Sequence, residues 1–420
     1  MAVRRQTQAA ASQDRSLALT VAIAAAIMAV SMGLRQCFGL FQAAVTVDLA
    51  ISATTFGFAV ALHNLVWGLS QPILGIVGDS YGPRPVLVAS GLIYAAGLGL
   101  MATSRGAVLG LDIGIGLMTG IGIAGTGFGV LLGAVSRAAP PERRSQLIGL
   151  VSGVGSIGVL GLAPLGQHLI QIADWRTAAA AYAVICLSIV ILSLFIGGRA
   201  VEAAGDARET TSAVGARAAA LEALGHGGFL AMTTAFFACG FQLMFITTHL
   251  PRYLGICGLP PSLGAASLGI IGACNAVGSY VFGLLGARFS RKRLLAGIYA
   301  TRTIAIVAYV AAPVSEATTL IFAAVMGFTW LGVVPLVSGL IVKLFGLRHF
   351  NMLFGLVFLL HQAGGFLGPW MGGIILDSTG DYTIAWYAMI VVGLAATVLQ
   401  WPMNDDPSRR PRSVATASAA

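Results

Sequence analysis

The chain alternates long apolar runs with short polar intervals. A helix needs about 20 apolar residues to cross a bilayer, and twelve runs reach that scale: Leu17–Val45, Thr54–Gly78, Pro85–Ala102, Leu111–Val135, Leu147–Ile170, Ala178–Ile196, Gly228–Leu250, Leu263–Leu285, Leu294–Ala312, Thr318–Leu344, Met352–Leu376 and Ile384–Met403. Intervals such as Ser104-Arg105-Gly106 are so short that neighbouring helices must pack antiparallel. One interval is different. Residues 197–225 carry Arg199, Glu202, Asp206, Arg208, Glu209 and Arg217 among Ala and Gly, a composition that suits a linker between two groups of six helices. The predicted organisation is an N-terminal segment 1–16, a bundle 17–196, the linker 197–225, a second bundle 226–403 and a tail 404–420 whose composition reads as disordered. The expected fold class is an all-α polytopic membrane protein, with 12 transmembrane helices in two pseudo-symmetric halves.

Composition removes the alternatives. Of 420 residues, 57% are hydrophobic and 9% charged, with a mean hydropathy of +0.88; a soluble domain carries about a quarter charged residues. The net charge of +9 does not mark a nucleic-acid binder, because of where it lies. With the N-terminus taken as cytoplasmic, only Arg105, Arg176 and Arg252 fall in loops on the opposite side, and Arg35 and Arg302 lie within helices. All other lysines and arginines share the side of the termini. This is the positive-inside pattern, and it predicts both termini in the cytoplasm and a location in the inner membrane. The cysteines Cys37, Cys186, Cys239, Cys257 and Cys274 have neither metal nor disulfide spacing and read as small packing residues. Arg4-Arg5 before an apolar run has the form of a secretory signal, but Leu17–Val45 exceeds the 7–15 residues of a signal core, so a retained first helix is expected.

A glycine-rich charged loop occurs twice, at the same place in each half. Gly75-Ile-Val-Gly-Asp79-Ser-Tyr-Gly82-Pro-Arg84 follows helix 2, and Gly283-Leu-Leu-Gly-Ala287-Arg288-Phe-Ser-Arg291-Lys292-Arg293 follows helix 8. Helices 5 and 11 echo each other too: Gly149-Leu-Val and Gly355-Leu-Val near their starts, Pro164 and Pro369 further on. Duplicated bundles of this kind are the build of many transporters. The first loop resembles the Gly-x-x-x-Asp-basic-x-Gly-basic-basic loop of the major facilitator superfamily. Asp79, Gly82 and Arg84 match it; Ser80 and Pro83 stand where basic residues are usual, and the second copy has Ala287 in place of Asp. The resemblance implies two halves rocking about a central site, with Gly75, Asp79, Gly82, Arg84, Arg288 and Arg291 in conformational gating. Arg35-Gln36-Cys-Phe-Gly39-Leu-Phe41 in helix 1, with Phe354-Gly-Leu-Val and His361-Gln-Ala-Gly-Gly-Phe-Leu-Gly in helix 11, resembles the bacterial branch related to monocarboxylate and oxalate/formate carriers. Oxalate-type exchangers place basic residues in helices 8 and 11, where this chain has Asn275 and His361, which argues against a dianion site.

Polar groups at membrane depth are costly, so each is a candidate. They are Arg35 and Gln36 in helix 1, His63, Asn64 and Trp67 in helix 2, Gln242 in helix 7, Asn275 in helix 8, Arg302 in helix 9, and His361 and Gln362 in helix 11. These ten form the expected substrate-binding set. His63, Trp67 and Gln71 recur every four residues and form one stripe. Each candidate also has a structural reading as an interhelical hydrogen bond. For Arg302 that reading weighs more, since helices 3, 6, 9 and 12 form the outer set in the family the chain resembles. No Asp or Glu occupies the middle of a span; Asp48, Asp112, Asp174, Glu316, Asp377 and Asp381 sit near helix ends. Two buried arginines therefore lack a carboxylate within the spans, and a substrate carboxylate is the simplest partner.

No nucleophile–base pair, metal cluster or nucleotide loop is present, so the sequence predicts no enzyme activity, no cofactor, no metal and no catalytic residue. Gly125-Thr-Gly127-Phe-Gly129 is not a phosphate loop, having no strand before it and no Lys-Ser/Thr after it. The expected function is secondary transport of a small organic anion, a monocarboxylate, by alternating access. Its partners are that substrate, the lipid bilayer and protons, and coupling would use His63, His361 or the substrate's own carboxylate. Two rivals stand beside it. Trp67, Trp330 and the many Phe suit an exporter of amphipathic compounds, and a non-transporting membrane sensor could keep the same fold without saturable flux.

Overall fold

Long stretches of Ala, Leu, Ile, Val and Gly become helices in lipid because the backbone has only its own turns to bond to. The computed structural model describes residues 2–105, 108–196, 213–346 and 350–407, except the side chains of 2–16, 79, 141, 142, 144–146, 213–217, 350 and 351. Among the described residues every regular element is helical, and twelve helices are long and apolar enough to cross a membrane. They are α1 (Leu17–Asp48), α2 (Ala53–Gly78), α3 (Pro83–Thr103), α4 (Val108–Ala138), α5 (Leu147–Ile172), α6 (Trp175–Ser193), α7 (Gly227–Ile256), α8 (Pro261–Arg288), α9 (Arg291–Ala311), α10 (Glu316–Phe345), α11 (Met352–Thr379) and α12 (Thr383–Gln400). The end of the predicted linker forms a short helix, Ala213–Leu224; its part 197–212 and the tail beyond Pro407 lie outside the described residues.

Several spans are interrupted, and one of the interruptions recurs in the second half. α1 is kinked at Cys37, between Gln36 and Phe38. α4 runs through a π-helical turn at Asp112–Met118 and breaks at Gly127. Its counterpart in the second half, α10, breaks between Thr329 and Val333. Pro164 of α5 and Pro369 of α11 are likewise equivalent, each inside its helix. Such breaks survive in a membrane only where neighbouring groups satisfy the freed backbone.

The halves meet along two seams, α2 against α11 and α5 against α8, and where the last part of α1 lies on α7. Close approach here depends on glycine. A Cβ on Gly57 of α2 would come within 2.5 Å of the Pro369 carbonyl, and one on Gly272 of α8 within 2.5 Å of the Ser156 carbonyl. Gly39 of α1 lies directly against the Thr247 carbonyl of α7. These approaches lie from mid-depth toward the face opposite the termini, here termed the far face. Toward the other, basic face the four seam helices present Gly75, Gly149, Gly283 and Gly355, and a Cβ on any of them would meet nothing within 4 Å.

Polar ties reinforce the far face. The Asp377 carboxylate of α11 accepts from the N–H of Ala53 at 3.0 Å, the N–H of Thr54 at 2.7 Å and the Thr54 hydroxyl at 2.5 Å, seating a negative charge at the N-terminus of α2. Deeper in, His249 of α7 is fully buried. Its Nε2 lies 2.8 Å from the Pro369 carbonyl, which can only accept, so in the neutral ring Nδ1 is the acceptor. Nδ1 faces the Tyr382 hydroxyl at 2.9 Å and the Gln42 amide of α1, across the two halves, at 3.2 Å.

Candidate functional site

At mid-depth a small cavity opens between α1, α2 and α7, lined by Arg35, His63, Asn64, Met244, Thr247 and Thr248 among others. Arg35 comes from the last turn before the kink at Cys37. Its guanidinium carbon lies 4.7 Å over the Trp67 ring, and Nη2 points at the Met244 thioether at 3.2 Å. Nε has no partner. A sulfur and a ring face are weak answers to five N–H donors. Among the described residues no carboxylate pairs with this cation.

His63 and Asn64 are buried to 0% and 1% exposure. The Thr119 hydroxyl donates to the Ile115 carbonyl, so its oxygen can only accept from His63 Nδ1, 2.7 Å away. The proton of the neutral ring is therefore on Nδ1, and Nε2 carries a lone pair with no partner. Asn64 Nδ2 donates to the Val60 carbonyl at 2.9 Å, which fixes the amide orientation and leaves Oδ1 unpartnered as well. The cavity lining thus includes one under-bonded cation and two residues that each carry an idle acceptor.

The other predicted binding residues lie elsewhere or are already engaged. Gln36 donates to the Met32 carbonyl of its own helix at 3.2 Å. Gln242 reaches away into the second half, donating to the Met389 carbonyl at 3.0 Å. Asn275 donates to the Ser156 hydroxyl of α5 at 2.7 Å and accepts from the Leu331 N–H at 2.9 Å and the Ser279 hydroxyl at 3.1 Å, joining α8 to α5 and to the break in α10. Arg302, fully buried, donates through Nη2 to the carbonyls of Thr329 and Trp330, where the break in α10 leaves them without helical partners. His361 stacks on Phe358 at 5.7 Å and faces Gln362 Oε1 through Nδ1 at 3.0 Å, while Gln362 donates to the Asn64 carbonyl at 3.0 Å, across the seam. The two Trp that favoured an amphipathic cargo are both buried, Trp67 beneath Arg35 and Trp330 at the break in α10.

The loop residues tie each half to itself. Arg84 donates from Nε and Nη2 to the Ile196 carbonyl beyond α6, at 3.2 and 3.0 Å. The matching tie in the second half is Lys292 to the Met403 carbonyl beyond α12, at 3.0 Å. Lys292 and Lys343 also clasp Asp405, at 2.9 and 2.5 Å, and the Lys343 hydrogen bond in particular holds that carboxyl below the usual range. Arg291 donates to the Gly339 carbonyl at 3.4 Å, and Arg288 is exposed. Gly82 takes a φ of +85°, a left-handed value that suits glycine. Gly75 faces open space, and the side chain of Asp79 lies outside the described residues.

A sequence profile described as Major Facilitator Superfamily matches residues 21–346 and again 268–419. The chain belongs to the major facilitator superfamily. Among its relatives, monocarboxylate transporter 13 of Rattus norvegicus is 29% identical over 360 residues, covering 84% of this chain and 81% of the relative. The oxalate:formate antiporter of Oxalobacter formigenes is 24% identical over 365 residues, covering 85% and 84%. The crystal structure of a D-xylose-proton symporter superposes with a TM-score of 0.71 at 15% identity, covering 94% of this chain and 98% of that one, which shows the shared fold. The Arg35 cavity is lined from both halves, by α1 and α2 of the first and α7 of the second, and superfamily membership agrees with a protein that is not an enzyme.

Sequence reasoning missed Met244, Gln42 and His249, and it left Lys292 of the second loop out of the gating set. Gln42 and His249 were legible as polar residues in apolar runs. Met244 had no signal, since an apolar residue in a span is the rule.

Proposed function

We propose that the protein is a secondary carrier of small monocarboxylate anions that works by alternating access, with Arg35 as the anion-binding group. The observation that carries this reading is the Arg35 guanidinium, held between a thioether and an indole face in a cavity between the halves, with no carboxylate among the described residues to answer it. A buried charge without a partner is strongly unfavourable, and a mobile carboxylate removes the penalty when it binds. The relatives that carry monocarboxylates, oxalate and formate by name support the same class. The concentration of Lys and Arg in the loops of one face supports a cytoplasmic position for that face. The far-face contacts at Asp377, His249 and Gly39 then belong to an inward-facing state, closed on the outside.

Counterflow in proteoliposomes tests this. Vesicles preloaded with a short monocarboxylate should accumulate the labelled acid, with and without an imposed pH gradient, and amino acids and hydrophobic cations should not compete. A panel in which no monocarboxylate supports counterflow, with the protein correctly inserted, sinks the proposal.

A further inference from the structure

A carboxylate on Arg35 leaves two groups in the cavity unanswered. His63 Nε2 and Asn64 Oδ1 are both buried, both without partners and both acceptors, because Thr119 and the Val60 carbonyl fix which atom of each side chain faces away from them. Buried acceptors of this kind are rare in folded proteins and are met by a donor, from an ordered water or a bound ligand. We infer that the cavity selects monocarboxylates carrying a hydroxyl beside the carboxylate, over their oxo and unsubstituted counterparts, an inference that rests on the monocarboxylate reading above.

The chemistry runs in one direction. A 2-hydroxy acid presents an anion for Arg35 and, one carbon away, an O–H that α2 can accept. A 2-oxo acid turns an acceptor toward acceptors, which gains nothing and sets like partial charges against each other. An unsubstituted acid leaves both α2 groups as they stand. Sites built to hydrogen-bond a hydroxyl reject the analogue that lacks it, because the site's own polar atoms are then stranded. An α-amino acid also brings donors, but its ammonium would sit beside the Arg35 cation with no Asp or Glu in the cavity lining to offset it.

The test compares 2-hydroxypropanoate, 2-oxopropanoate, propanoate and alanine on the purified full-length protein. Calorimetry would be supported by quenching of Trp67, the indole under Arg35. The hydroxy acid should bind about tenfold or more tightly than the other two acids, and alanine should not bind. Asn64→Leu and His63→Phe, each removing one acceptor, should bring the three acids within about threefold of one another while binding remains dependent on Arg35. Should either variant fail to insert, the wild-type ranking alone decides. Equal affinities for the three acids, all lost in Arg35→Gln, overturn the hydroxyl selection and leave the carrier reading standing. Retention of the ranking in both variants also overturns it. Failure of every acid to bind, with Arg35→Gln indistinguishable from wild type, overturns both.

Discussion

Two arginines lie at membrane depth in this chain, and their surroundings have opposite characters. Arg302 is enclosed by a broken helix: Nη2 meets two backbone carbonyls of α10 and Nε lies 3.4 Å from the Thr329 hydroxyl. A cation at the end of a helix segment is well placed against both the freed carbonyls and the helix dipole. Arg35 has only a thioether, an indole face and an idle Nε. Each keeps a fully buried nitrogen without a partner, Nε of Arg35 and Nη1 of Arg302, and Arg35 lies against a cavity between the two halves. The lesson is that burial of a charge does not by itself mark a site. On the proposed reading, a buried charge whose donors are largely met by backbone serves as scaffold, and one whose donors wait serves as a binding group.

Substitutions break this comparison in order of size. Arg35→Gln should reduce monocarboxylate affinity by about 10- to 100-fold, the worth of a charged hydrogen-bonding pair, while thermal unfolding in detergent moves little. Wild-type affinity in well-inserted Arg35→Gln protein would end the comparison. Arg302→Gln should show the reverse split. Stranding two buried carbonyls costs about 2–4 kcal/mol, seen as a lower Tm and yield, with the Kd of the recovered protein unchanged. An altered Kd at an unaltered Tm would assign Arg302 to the site. Arg35→Lys sharpens the contrast, because an ammonium neither stacks on the indole nor holds a carboxylate by two parallel bonds; affinity should fall by roughly tenfold and not vanish. Trp67→Leu is the mildest. It removes a cation–π contact of about 0.5–2 kcal/mol, so binding should weaken by a few-fold, and titration of Arg35→Gln/Trp67→Leu should show no further loss beyond Arg35→Gln alone.

The fold was legible because lipid imposes one rule on every span. Lengths of apolar sequence located the twelve helices, and the repeated loop with Pro164 and Pro369 gave the duplication. What could not be read was where helices break, since the gap between Thr329 and Val333 exists only with Arg302 and Asn275 ready to bond it. For the same reason the residues alone did not separate the two arginines; only the family resemblance, with helix 9 in the outer set, weighed Arg302 toward a structural role. His63 and Asn64 were visible as polar residues on one helix, but their idle atoms follow from Thr119, 56 positions from His63, and from the Val60 carbonyl. Sequence spacing carries no record of which hydrogen bonds are already made.

Gly75, Gly149, Gly283 and Gly355 hold a consequence for how the molecule moves. They are paired by the internal duplication, Gly75 with Gly283 and Gly149 with Gly355, and they lie on the four seam helices, of which α2, α8 and α11 press Gly57, Gly272 and Gly373 against backbone across the seams. Two states can interconvert readily only when their free energies are close. Opening the far face gives up tight glycine-to-backbone packing and the Asp377 bonds to α2. The vacant glycines allow the opposite ends of α2 and α11, and of α5 and α8, to come together by the same kind of packing. On the alternating-access reading the molecule would work as a seesaw, with one catch engaged at the far face and these glycines supplying its counterpart at the other.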